Sequence, residues 1–172
     1  MKIEILKKMV TLGAISLLFT SVYADIKHPK PPTTGIQMQQ TSSFNNMVAS
    51  EAFLKANNDK PGVVTLADGL QYKVIVQGKG VKPTATDIVT VHYSGTLPNG
   101  TEFDSSYKRG VPASFHVNGV ILGWTEALQL MPVGSTWEIY IPARLAYGES
   151  GAPPAIGSNQ ALIFKVQLLS VK

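Results

Sequence analysis

Cysteine is missing from the 172 residues of this chain. Thiol catalysis, zinc–thiolate sites, disulfide staples and a cysteine-linked lipid anchor are thereby excluded, and stability has to come from an ordinary packed core. Charge of one sign is also in short supply. Lys and Arg number 15 against 11 Asp and Glu, a formal +4, but Lys2, Lys7, Lys8 and Glu4 fall in the first 24 residues and leave 12 positive and 10 negative side chains beyond them. So weak and dispersed a balance calls for neither nucleic acid nor an anionic membrane. The three histidines, His28, His92 and His116, have no ligand spacing among them, so neither a metal nor any other cofactor is expected. Gly-x-Ser-x-Gly is absent, and the short glycine strings lack the strand-to-helix setting of a phosphate loop. What is present, 44% hydrophobic and 15% charged residues, is the make-up of one globular domain with some extra sequence.

The extra sequence comes first. A basic start, Met1 to Lys8, is followed by an apolar run from Met9 to Val22, and Val22-Tyr23-Ala24 offers small or modest residues where a signal peptidase reads. The run is too short to anchor comfortably in a bilayer. Residues 1–24 are therefore expected to be a signal peptide cleaved after Ala24, with the chain exported: periplasmic, outer-membrane-associated or secreted. Residues 25–42, with Pro29, Pro31 and Pro32, read as an extended flexible arm. Phe44, Met47, Val48, Phe53 and Leu54 recur at intermittent helical spacing, which predicts a short helix over 43–60. Pro61-Gly62 ends it and opens a domain over 61–172.

Within that domain the apolar period becomes two. Leu70, Tyr72, Val74 and Val76 alternate with Gln71 and Lys73, and the same alternation returns at Val89–Tyr93, Thr136–Ile141 and Leu162–Leu168. One buried and one wetter face per strand predicts an antiparallel sheet covered on one side. Asn99-Gly100 marks a hairpin. One segment departs from the period: Ile121, Trp124, Thr125 and Leu128 share a helical stripe that Pro132 stops. The expected fold is α+β, a curved antiparallel sheet, or half-barrel, wrapped around one short helix.

The catalytic content is sparse. Glu102 and Asp104 flank Phe103 on a strand and share a face without any sign of a general-acid partner. The aromatic set Tyr93, Phe103, Phe115, Trp124, Tyr147 and Phe164 stands out instead, and lone aromatics of this kind are usually core. Their setting decides otherwise. Val91-His-Tyr-Ser-Gly-Thr-Leu97, Asn99-Gly-Thr-Glu-Phe-Asp-Ser-Ser106, Val120-Ile-Leu-Gly-Trp-Thr-Glu-Ala127, Ala146-Tyr-Gly148 and Leu162-Ile-Phe-Lys-Val-Gln-Leu-Leu169 resemble, in order and spacing, the FKBP-type peptidyl-prolyl isomerases. The resemblance covers residues 66 to 172. It is strongest to the Mip branch of bacterial exported isomerases, through Gly69-Leu-Gln-Tyr-Lys-Val and Gly134-Ser-Thr-Trp-Glu-Ile-Tyr.

The resemblance implies an apolar pocket between sheet and helix that takes the proline ring of a polypeptide. Trp124 would be its floor, and Tyr93, Phe103, Phe115, Val120, Ile121 and Phe164 its walls, with Ile156 closing it from a long loop. Asp104, Tyr147 and the Ile121 backbone N–H would be the polar groups at the rim, with Asp104 and Tyr147 the catalytic pair. The loop Gly148–Asn159 departs from the commoner family pattern, with Ala152 and Pro153-Pro154 where a larger or polar residue and glycine are usual. Implied partners are Pro-containing polypeptides and macrolides of the tacrolimus and rapamycin type. A carboxylate among apolar walls needs partners, and Tyr93 and Arg109 are the expected ones for Asp104. The alternative is a non-catalytic binding module or chaperone for Pro-containing or unfolded segments. A chain with so little sequence before its first strand is expected to be a monomer.

Overall fold

Alternating burial along the chain builds one antiparallel sheet. A computed structural model describes residues 34–172; the expected signal peptide and the first part of the expected arm lie outside them. Seven strands, β1 (Val63–Thr65), β2 (Gln71–Val76), β3 (Ile88–Thr96), β4 (Glu102–Ser105), β5 (Ala113–His116), β6 (Thr136–Ile141) and β7 (Leu162–Val171), are ordered β1-β2-β6-β7-β3-β4, with β5 also on β3. Strand β5 pairs with the first half of β3 and β4 with its end. The sheet is open, not a closed barrel.

Among the described residues three α-helices accompany it: α1 (Thr34–Asn58), the single turn α2 (Ser106–Arg109) and α3 (Leu122–Leu130). Gly123, Trp124, Ala127 and Leu128 of α3 are buried against the sheet. Thr125, expected on the same stripe, is half-buried and donates from Oγ1 to the Val117 carbonyl at 2.7 Å. Gly123 permits the close approach, since a Cβ there would stand 2.5 Å from Ile141 Cγ2. The core lies between α3 and Val89, Val91, Tyr93, Ile139, Ile141, Phe164, Val166 and Leu168, all fully buried.

The structure corrects three expectations. Helix α1 is 25 residues long and begins at Thr34, inside the stretch read as an arm; Gln and Thr there keep helical geometry without the apolar periodicity that sequence reading needs. The sheet is not covered on one side only. Helix α1 lies on the second face over β2 and β6, where Asn57 Nδ2 donates to Gln71 Oε1 and Gln71 Nε2 to the Leu54 carbonyl, both at 2.9 Å. Phe53 meets Tyr140 there, with ring centroids 6.2 Å apart. Gln71 and Tyr140, register partners on the face expected to be wetter, are consequently buried. Val74 and Val76, expected to be inward, are exposed, because β1 pairs only as far as Lys73 and no described residue covers the end of β2. At the expected 99–100 turn Gly100 takes a positive φ, 85°, and the Asn99 side chain accepts from the Thr101 N–H. Among the described residues no helix is long and apolar enough to cross a membrane.

Candidate active site

Trp124 enters the core one turn into α3, and three aromatic rings stand edge-on around it. Tyr93 from β3 lies 5.3 Å away at 90°, Phe164 from β7 5.2 Å at 85° and Phe115 from β5 5.9 Å at 82°. Such T-shaped contacts set positive ring edges against negative faces and hold the rings in fixed orientations. Phe103 meets Phe164 in the same way, 5.5 Å apart at 86°. Val120 and Ile121, just ahead of α3, and Ile156 from the 148–159 loop are buried in the same cluster. Ile121 is not itself helical, and its carbonyl accepts from the Trp124 and Thr125 N–H groups. Every apolar residue assigned to the pocket from sequence is thus in one contiguous cluster.

The polar rim begins at β4. Ser94 pairs with Ser105 and Gly95 with Asp104, but Thr96 pairs with Glu102, so Phe103 is an extra residue in a bulge. A bulge re-aims consecutive side chains. Phe103 and Asp104 are both buried as a result, while Glu102 is exposed and pairs with Lys108 at 2.7 Å. Glu102 and Asp104 therefore do not share a face, contrary to the spacing argument. The Asp104 carboxylate accepts from the Tyr93 hydroxyl at 2.5 Å and from Arg109 Nη1, and Arg109 Nη2 donates to the same hydroxyl at 2.9 Å. Arg109 reaches back because α2 is one tight turn, capped by the Ser105 hydroxyl and ended by Gly110 at φ 73°. Burial, and then the bond to Asp104, push the Tyr93 hydroxyl pKa well above its ordinary value, so it stays a donor.

Tyr147 opens the 148–159 loop. Its hydroxyl is buried and has no hydrogen-bond partner among the described residues. Burial, and then the nearby Asp104 charge, raise its pKa, which keeps it protonated and able to donate. Within the loop Ala152 and Ile156 form an isolated bridge, and Pro153-Pro154 is cis.

Sequence reasoning missed two residues that shape this site. Gly95 lies beneath the Phe103 and Phe164 rings, where a Cβ would come within 2.6 Å of Phe103 Cζ and 2.7 Å of Phe164 Cε1. A glycine inside an otherwise alternating strand is the signal for such close approach. Ser106, fully buried, accepts from the Tyr93 N–H at 2.7 Å and donates to the Tyr93 carbonyl, fixing the backbone beneath the ring. Nothing in its immediate sequence announces this. No cluster of three or more His, Cys, Asp or Glu that could hold a metal ion is found among the described residues. The site sets edge-on aromatic rings beside a buried, paired carboxylate and the unpartnered Tyr147 hydroxyl.

Comparison with known proteins bears on the family and the fold. Residues 79–169, more than half of the chain, match the family described as FKBP-type peptidyl-prolyl cis-trans isomerase. Residues 31–74 match the domain amino terminal to FKBP-type peptidyl-prolyl isomerase. The chain is 63% identical over 127 residues to the peptidyl-prolyl cis-trans isomerase Mip of Coxiella burnetii, covering 74% of this chain and 55% of that protein. It is 54% identical over 142 residues to the outer membrane protein MIP of Legionella longbeachae, covering 80% and 61%. The crystal structure of FkpA from Escherichia coli superposes with a TM-score of 0.77 at 41% identity, covering 80% of this chain and 64% of that one. The chain thus spans a little over half the length of the curated relatives named here.

Proposed function

The chain belongs to the FKBP-type peptidyl-prolyl cis-trans isomerase family, and from that membership we propose that it accelerates rotation about X-Pro peptide bonds while exported proteins fold. Rotation about a peptide bond meets a barrier of about 18–20 kcal/mol from partial double-bond character, and crossing it breaks no covalent bond. A site for this reaction needs no nucleophile. It has to favour the twisted amide over the planar one. The twisted amide has lost its resonance and is less dipolar, so a dry aromatic box disfavours the planar form more. In the proposed mode the proline ring rests on Trp124 between Tyr93, Phe103 and Phe164, with Ile156 over it. The Tyr147 hydroxyl and the Ile121 N–H hold the carbonyls flanking the ring, and Asp104 fixes Tyr93 and tunes the field at the rim. A rate gain of about 10³ to 10⁵ asks for about 4 to 7 kcal/mol, which desolvation, orientation and one or two hydrogen bonds can supply.

The observation that carries the reading is the Tyr147 hydroxyl, buried and without a hydrogen-bond partner among the described residues, packed against a cluster of edge-on aromatic rings. A carbonyl entering with a proline ring would satisfy it. The same donors and walls suit macrolides of the tacrolimus and rapamycin type, which present a ring and carbonyls in the same relation. The proposed working unit is a monomer. Export to the periplasm is part of the proposal and rests on the Met1–Ala24 pattern. A protease-coupled assay on a series of X-Pro peptides tests it: turnover should be highest with Leu or Phe before proline, and a preference for acidic residues would contradict the apolar rim.

A further inference from the structure

Helix α1 is fastened to the domain in two places. At its end Phe53, Leu54 and Asn57 sit on the outer face of β2 and β6. Nearer its middle the contacts are polar and fall on one short segment just after Ile156. Asn46 Nδ2 donates to the Ser158 carbonyl at 2.9 Å. Ser50 Oγ donates to the Asn159 carbonyl at 2.9 Å and accepts from the Ala161 N–H at 2.8 Å. Asn159 Nδ2 donates to Ser43 Oγ at 2.9 Å. Ser43, Asn46 and Ser50 stand three and then four residues apart, so they form one stripe along the helix. The fit is close: a Cβ on Gly157 would stand 3.0 Å from Asn46 Nδ2.

The segment they grip anchors the pocket loop. Asn159, with a positive φ of 56°, donates its N–H to the Gly148 carbonyl at 2.8 Å and so closes the 148–159 loop on itself. Its carbonyl goes to Ser50 and its amide to Ser43. The backbone N–H, the backbone carbonyl and the side-chain NH₂ of the residue that closes the loop are thus engaged, the last two by α1. Ser50 is 6% exposed, and its hydroxyl serves as both donor and acceptor across two residues of backbone, as a neighbouring strand would. Without that hydroxyl the Asn159 carbonyl and the Ala161 N–H lose their partner in a place with little water. Ile156, three residues before Asn159, and Tyr147, next to Gly148, then lose the frame that holds them against the aromatic cluster.

We propose that Ser43, Asn46 and Ser50 of α1 are positioning residues for the prolyl pocket, holding the 148–159 loop and thereby setting which residue before proline is accepted. This rests on the reading of the pocket as an isomerase site. The test uses the whole exported chain with Ser50→Ala, Asn46→Ala, Ser50→Thr, which keeps the hydroxyl, and Phe44→Ala, on the exposed side of the same helix. Three quantities are read: hydrogen exchange at the Ala161 amide, affinity for Phe-Pro and Ala-Pro peptides by titration, and turnover of both. Ser50→Ala and Asn46→Ala should speed exchange in 157–161 and change the Phe-Pro to Ala-Pro ratio in affinity and in kcat/KM by about 3- to 10-fold, the loss of one hydrogen bond. Ser50→Thr should restore the ratio, and Phe44→Ala should leave it unchanged. An unchanged ratio in both folded alanine variants overturns the proposal, as does unchanged exchange. Asn46→Ala decides the matter if Ser50→Ala does not fold. Absence of turnover in the parent chain would defeat the isomerase reading alone, and the affinity ratio would still judge the positioning role.

Discussion

Replacing Asp104 by leucine removes the acceptor of two hydrogen bonds and the counter-ion of Arg109 in one step. The Asp104 side chain is fully buried, whereas the Arg109 side chain retains 23% exposure. Deleting one partner of a buried ion pair costs about 3–5 kcal/mol when the survivor is left without water. Water reaches Arg109, the Tyr93 hydroxyl still accepts from Nη2 at 2.9 Å, and leucine adds apolar volume beside Phe103. The expected loss of stability is accordingly about 1–3 kcal/mol, a fall of several degrees in Tm. Catalytic efficiency should fall by several-fold to a hundredfold, again about 1 to 3 kcal/mol, because Tyr93 loses its orientation and the rim loses its charge. The two losses are separable. Adding Arg109→Met to Asp104→Leu removes the orphaned cation and should return most of the stability while leaving efficiency low. Thermal melting and kcat/KM on one Phe-Pro peptide, for both variants, decide it. Full activity in a folded Asp104→Leu chain, or activity returning with stability in the double variant, refutes the functional role of Asp104.

Tyr147→Phe deletes one neutral donor and leaves the ring, so kcat/KM should fall about 2- to 10-fold with Tm unchanged within a degree; an equal drop in both would make the hydroxyl structural. Gly95→Ala drives a methyl against Phe103 and Phe164 and should cost about 1–3 kcal/mol by melting, with proline-peptide affinity falling further than stability alone explains; an unperturbed affinity would show that this ring pair is not part of the pocket. Burial, and then the neighbouring Asp68 carboxyl, push Glu126 from its ordinary 4.5 up to about 7. The folded chain therefore holds a proton across that window that the unfolded chain has lost, so stability should decline as pH rises from about 4.5 to 7. Partial exposure keeps the effect below about 1 kcal/mol. Glu126→Gln should flatten the slope and raise Tm above pH 7, and identical Tm–pH curves for the two chains would exclude this pair as its source.

Alternation made most of the sheet and its buried face legible, since Tyr93 and Phe164 stand in phase with Val91 and Val166 on strands that pair directly. The helix was legible for the complementary reason that its stripe breaks that phase. The Asp104 partners could be named because a buried carboxylate demands them and Tyr93 and Arg109 were the donors within reach. What escaped depends on events that one strand cannot encode by itself. The bulge at Phe103 exists only in the pairing with β3, so a count of two residues from Glu102 to Asp104 gave the wrong face. The burial of Gln71 depends on a helix whose first turns carry no apolar period. The bonds from Ser50 to Asn159 and Ala161 join residues 109 and 111 positions apart, through side chains that turn up on any surface.

The most direct test of the central claim is exchange spectroscopy on a Phe-Pro peptide with the chain at catalytic concentration, recorded before and after one equivalent of tacrolimus. Cis/trans exchange should be accelerated by about 10³ or more over the free peptide, the Trp124 and Tyr147 resonances should shift on peptide binding, and both effects should be lost with the macrolide. Peptide bound at the same resonances without faster exchange would make the pocket a holding site, and acceleration that survives the macrolide would place the chemistry elsewhere.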